Sequence, residues 1–137
     1  HEFVGRAALE KLQPEQKLKK VRLLWNAEDV VSVYASAFGD GERYKKIELP
    51  TGNYSTSPSD RVQHEGKDVG VSFYPVYSEA MRSCMSLASI APELAKDGQE
   101  LTLIWGEPDG GSGKPTVERH IQKVIRVKVD AKPIKRA

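Results

Sequence analysis

Few residues in this chain have the types and spacing that chemistry needs, and each has a plain structural role to set beside the reactive one. The stretch GGSGKPT, Gly110 to Thr116, is the first to test as a phosphate-cradling loop. That motif requires a glycine five residues before the Gly113–Lys114 pair, a Ser or Thr directly after the lysine, and a helix beyond. Pro108 and Pro115 hold the first two positions, and Thr116 to Val129 alternates as a strand, so the segment reads as a hairpin loop. The histidines, His1, His64 and His120, lack metal-ligand spacing, although His120 beside Glu118 and Arg119 could join a polar cluster. The single cysteine, Cys84, excludes an internal disulfide and a cysteine-built zinc site, which fits a reducing, cytoplasmic setting. It reads as a small buried hydrophobe rather than a nucleophile. No serine sits in a nucleophile-elbow setting. By residue type alone, neither a metal site nor a self-contained catalytic site is expected.

The elements that would position such residues are mostly strands. Leu101, Leu103 and Trp105 alternate with Thr102, and Ile121, Ile125, Val127 and Val129 alternate with Gln122, Arg126 and Lys128, which predicts a long β-hairpin. Gly106, Pro108, Asp109, Gly110, Gly111 and Gly113 fill the loop between its arms. Two strands alone are marginal in water, so other strands must cover the apolar face.

Taken from the start, residues 1 to 12 read as a short helix with Phe3, Ala7 and Ala8 on one side, and Val21 to Trp25 as a compact strand. Asn26 caps a helix with Glu28 and Asp29 in its first turn, an apolar stripe at Val30, Val33, Tyr34, Ala37 and Phe38, and Gly39 as its stop. Tyr44 to Leu49 is a weak strand ended by Pro50, and Thr51 to Asp60 a polar loop. A second hairpin runs from Arg61 to Tyr74 about Glu65, Gly66 and Lys67, with Val69, Val71 and Phe73 on its inner face. Tyr77 to Arg82 is irregular or one helical turn, Cys84 to Ile90 a strand, Ala91 to Lys96 a helical turn beginning at Pro92, and Asp97 with Gly98 a turn. The sum is a mainly β fold: a small antiparallel barrel or jelly roll of about six strands with one or two short helices.

A length of 137 residues is enough for one core, and 39% hydrophobic with 29% charged residues fits a globular protein without a membrane segment. The charge of +2, from 21 basic and 19 acidic residues, says little about partners. Lys17, Lys19, Lys20 and Arg22 near the start and Lys132, Lys135 and Arg136 near the end carry no aromatic stacking pattern. A solvated face is therefore expected of them rather than a nucleic-acid footprint.

Longer strings carry a family resemblance. HEFVGRAAL (residues 1 to 9), KKVRLLW (19 to 25) and VSFYPVYSEAMRSCMSLASI (71 to 90) resemble the C-terminal part of the glycine cleavage T-protein superfamily. LLWNAEDV (23 to 30), LPTGNYST (49 to 56), KDVGVS (67 to 72) and LIWGEPDGGSGKPTVERH (103 to 120) are similar to its branch of tetrahydrofolate-dependent aryl O-demethylases acting on vanillate or syringate. A glycine-cleavage aminomethyltransferase is the alternative within that superfamily, but its typical hairpin is shorter where this chain has WGEPDGGSGKPTVERH. From another class, a free-standing barrel that binds nucleic acid or a protein remains open, because fold alone decides no function.

The resemblance implies a parent enzyme that moves a one-carbon group from a methoxylated aromatic acid to tetrahydrofolate. It implies residues 1–18 as a helix and linker trailing from an upstream folate-binding core, and 19–137 as the C-terminal barrel. The upstream domain of the same parent and a small-molecule methyl donor are then the partners. Lys20 matches a basic residue that ties the barrel to the core or binds ligand. Tyr54 and Tyr77 lie in loops resembling family loops, where they line the cavity entrance or simply cap the barrel. Relatives carry an aromatic residue soon after the last strand, where this chain has Ile134. A fragment that supplies one wall of a shared cavity is expected to show no turnover alone.

Overall fold

A computed structural model describes residues 3–12, 17–48, 59–111, 113 and 115–132. In chain order the elements are α1 (Arg6–Leu12), β1 (Lys19–Trp25), α2 (Ala27–Ala35), β2 (Ser59–His64), β3 (Lys67–Ser78), β4 (Ser83–Ile90), a 3-10 turn (Pro92–Leu94), β5 (Glu100–Trp105) and β6 (Lys123–Asp130). The six strands close into an antiparallel barrel in the order β1-β4-β3-β2-β5-β6, with β6 returning to β1. Both hairpins expected from alternation are present, β2–β3 and β5–β6, but the second arm of the latter begins at Lys123 rather than Thr116, and Ile121 is left exposed.

Inward side chains fill the barrel. Leu23, Val62, Leu103, Ile125, Val129 and Ile90 are fully buried, and Trp25 and Trp105 close one end edge-to-face with ring centroids 5.2 Å apart. The polar atoms sealed inside are satisfied in a line: Trp25 Nε1–H donates to Ser86 Oγ at 3.0 Å, and Ser72 Oγ–H donates to the same oxygen at 2.7 Å.

Four local expectations need correction. On β3, Ser72 faces in and Val71 faces out at 38% exposure, because Ser72 pairs with buried Ala88 and Val71 with Ser89 on the outer face. At Gly70 the strands come so close that a Cβ would lie 2.2 Å from the Ser89 carbonyl oxygen, so only glycine fits there. Of Tyr77 to Arg82, only Glu79 to Arg82 is a turn: a register shift between Phe73 and Val76, with Tyr74 at φ 57°, lets β3 continue to Ser78. Tyr44 to Glu48 forms no strand beyond one parallel bridge from Tyr44 to Ile121, and Leu49 lies outside the described residues.

The fourth correction concerns α2. It has its Asn26 cap, whose Oδ1 accepts from the Asp29 N–H at 3.1 Å, and it buries Val30 and Val33. It ends at Ala35, with Ser36 as the C-cap, so Phe38 is 86% exposed instead of completing the stripe. Of the helix expected over residues 1 to 12, α1 forms from Arg6 to Leu12, and it buries no side chain among the described residues. No described helix is long and apolar enough to cross a membrane.

Candidate functional site

The Trp25–Trp105 end of the barrel gathers the buried polar chemistry. After α2 the chain is laid across this end and fixed from several sides. Trp105 Nε1–H donates to the Lys45 carbonyl at 2.7 Å, Tyr34 Oη–H to the Ile47 carbonyl at 2.9 Å, and the Ile121 N–H to the Arg43 carbonyl at 2.9 Å. Ile47 is thereby driven into the core, and Lys45 is buried with it.

A buried lysine needs a counter-charge, and Glu107 provides it: Lys45 Nζ lies 2.7 Å from Glu107 Oε1. Glu107 Oε2 in turn lies 3.2 Å from His120 Nε2, so Lys45, Glu107 and His120 form one buried group. The ring's tautomer follows from its partners. The Glu118 carbonyl, 2.8 Å from Nδ1, can only accept, and the Glu107 N–H, 3.0 Å from Nε2, can only donate. Nδ1 therefore carries the hydrogen and the imidazole is neutral in this arrangement.

The glycines of the β5–β6 connection exist for this histidine. At Gly106, with φ +104°, a Cβ would sit 3.0 Å from the His120 ring. At Gly111, with φ +83°, it would sit 2.9 Å from the Glu118 carbonyl and 3.2 Å from His120 Cε1. What the sequence offers as a near-miss phosphate loop is a backbone sheath around a buried imidazole.

The charges nearby serve the same enclosure. The Glu118 carboxylate accepts the Lys46 N–H at 2.7 Å. Burial pushes its pKa up, but the backbone N–H groups of Lys46 and Glu118, with Arg43 nearby, outweigh that and hold it below the ordinary glutamate value. Asp60, buried on β2, accepts the Gly106 N–H at 3.0 Å. Both ring nitrogens of His120 are engaged, so it offers no free lone pair for general-base work. Burial raises the pKa of the Cys84 thiol, and of Tyr34 with Cys84 adding to it, which makes neither a ready nucleophile.

Among the described residues, the structure does not bring the sequence-predicted Lys20 and Tyr77 together. Lys20 is exposed on β1 opposite Ser89, and Tyr77 is half-buried on β3 opposite Cys84. Ser89 and Cys84 lie five residues apart on β4, about 16 Å at strand rise, so Lys20 and Tyr77 mark opposite ends of the barrel. Tyr54 lies outside the described residues, as does Ile134. Lys45, Glu107 and Asp60 were not singled out from the sequence. The one pointer was His120 beside Glu118, and the glycines spaced around Glu107 could have sharpened it. A cleft of about 640 Å³ beside this group is lined by Arg43, Asp109, Arg119 and Ile121. A groove of about 570 Å³ runs past Gln63, His64, Glu100, Arg126 and Lys128. Among the described residues no cluster of three or more His, Cys, Asp or Glu could hold a metal ion.

With the barrel filled and its end sealed, comparison with known proteins is informative. Over 97% of its length the chain is 45% identical to a syringate O-demethylase of Sphingobium sp. (strain NBRC 103272 / SYK-6). Over 97% it is also 34% identical to a sesamin methylene transferase of Sinomonas sp. (strain No.22). This chain is a homologue of one segment of each. It spans 29% of the length of either relative, and the matched stretch takes in all six strands. No profile of a protein family matches the chain.

Proposed function

We propose that this chain is the C-terminal barrel of a tetrahydrofolate-dependent O-demethylase. In this reading the parent moves a methyl group from a methoxylated aromatic acid to the folate amine, and the barrel supplies one wall of the cavity and a surface for the upstream folate-binding domain. Residues 1–18 are the helix and linker from that domain, and 19–137 the barrel. The carrying observation is the 45% identity to a syringate O-demethylase across 97% of the chain. Two structural facts support it. The barrel interior is filled by Leu23, Leu103, Ile125 and their neighbours, so a ligand must lie against the barrel rather than in it. Exposed Phe3, Leu9 and Leu12 on and beside α1, and Val71 and Val124 on the barrel, are apolar groups suited to cover by a neighbouring domain.

Methyl transfer breaks the bond between the aryl ether oxygen and its methyl carbon, forms a carbon–nitrogen bond on folate, and returns a proton to the phenolate. That demands close alignment of donor and acceptor. The acid is assigned to no residue of this chain. Tyr77 and Tyr54 are proposed to line the cavity entrance, and Lys20 to meet the upstream core from the other end of the barrel. A second reading follows from the sesamin methylene transferase: the one-carbon unit leaves its donor as a methylene rather than a methyl group.

Titration calorimetry with tetrahydrofolate tests the proposal, first on the chain alone and then mixed with the separately produced remainder of the syringate O-demethylase. Binding and demethylation only in the mixture are expected. Tight folate binding by the chain alone would overturn the shared-wall reading. A mixture that transfers from a methylenedioxy donor and not from a methoxy donor would favour the second.

A further inference from the structure

His120 is held between two partners that demand opposite proton states of the same nitrogen. The Glu107 N–H, 3.0 Å from Nε2, needs a lone pair there, whereas Glu107 Oε2, 3.2 Å from Nε2, would be satisfied by a hydrogen there. We propose that His120 is a proton-operated latch on the β5–β6 connection. Neutral, it pins the Glu107 amide and holds the connection closed. Protonated at Nε2, it releases that amide and donates instead to the Glu107 carboxylate. The proton comes from and returns to solvent, and Nδ1–H keeps its bond to the Glu118 carbonyl in both states.

Charges of both signs face the ring. From the connection itself come the Glu107 and Glu118 carboxylates, with Arg119 next along the chain and Asp109 across the loop. From the segment laid across the barrel end come Lys45, bound to Glu107 Oε1, and Arg43, whose Nε donates to the Arg119 carbonyl at 3.3 Å. From β2 comes Asp60, which reaches the ring's surroundings through the Gly106 amide. The carboxylates favour the imidazolium and the cations oppose it. Lys45 engages Oε1, and Oε2 lies 3.2 Å from Nε2. Gly106 and Gly111 leave the ring edge without Cβ neighbours, so the exchange of partners needs no large displacement. The connection also lines the 640 Å³ cleft through Asp109, Gly110 and Ile121, so the exchange of partners takes place in that cleft's wall.

Nuclear magnetic resonance of the 137-residue chain tests this by following the His120 ring and the Glu107 amide through an acid titration. The expected result is that the Glu107 amide resonance moves in step with the ring. Its hydrogen exchange, corrected for the intrinsic pH effect, should speed by about tenfold or more once the ring is charged. In Glu107→Gln the amide bond is retained but the carboxylate is gone, so the ring should titrate at lower pH than in the parent chain. Three results would overturn the latch: a ring that titrates while the Glu107 amide stays unmoved, a ring that stays neutral until the chain unfolds in acid, or a Glu107→Gln chain with an unchanged ring titration. If that variant fails to fold, the coupled titration in the parent chain decides alone.

Discussion

The two hairpins of this barrel solve the same problem with opposite means. β2 and β3 are joined by Glu65 and Gly66 alone, both in the left-handed region at φ 51° and 77°, the tight reversal that matches strand twist. β5 and β6 are joined by residues 106–122, which leave the barrel, enclose His120, anchor Lys45 and return. The first connection only reverses the chain. The second is a small structure in its own right, and its stability should rest on side chains that the first does not have.

Substitutions can break that contrast, and the largest effect is expected at Glu107. Glu107→Ala strips Lys45 of its buried counter-charge and should cost about 3–5 kcal/mol in urea denaturation. A loss under about 1 kcal/mol would mean that Lys45 simply turns out to solvent. Next come the glycines. Gly111→Ala combines positive φ with a Cβ 2.9 Å from the Glu118 carbonyl and should cost about 2–3 kcal/mol. Gly66→Ala, positive in φ but in open space, should cost about 1 kcal/mol by the same assay. Equal losses at the two sites would erase the difference drawn between the connections.

A smaller effect is expected in acid. The Glu118 carboxyl has its folded pKa below the unfolded one, so its contribution is fully present above the unfolded value of about 4.3 and is lost as pH falls through the lower folded value. Glu118→Gln should flatten that acid limb of the stability curve, read from urea midpoints at a series of pH values. The smallest change expected is a gain. Glu65→Asn puts a residue tolerant of positive φ at the tight turn and should raise stability by about 0.5 kcal/mol.

What the sequence discloses follows the range of the interactions involved. The six barrel strands, both hairpins, the Asn26 cap and the turn at Asp97 and Gly98 are decided within a few residues and are legible, whereas Tyr44 to Glu48 reads as a strand and forms only one bridge. The inner face of β3 was misread because alternation favours Val71, whereas pairing with Ala88, sixteen positions beyond Ser72, turns Ser72 inward. The buried group is harder still. Lys45 looks like any surface lysine until the chain brings Glu107 to it, and His120 declares itself only when Gly106 and Gly111 are folded around it. The resemblance to O-demethylases, carried by long strings, was legible in full. Lys20 and Tyr77, drawn from those strings, are set at opposite ends of the barrel by their pairing with β4.

Closure of the barrel depends on β1 meeting β6: Arg22 sits opposite Asp130 and Trp25 opposite Val127, pairings that join the two extremes of the strand order. During synthesis β1 emerges before the other five strands and can find β4 once Ile90 has been added, but its other edge stays bare until β6 has left the ribosome. The ring closes in one late, long-range step, so folding should be slow for the chain's size, and a ribosome stalled before Lys123 would hold an open sheet with two unprotected edges.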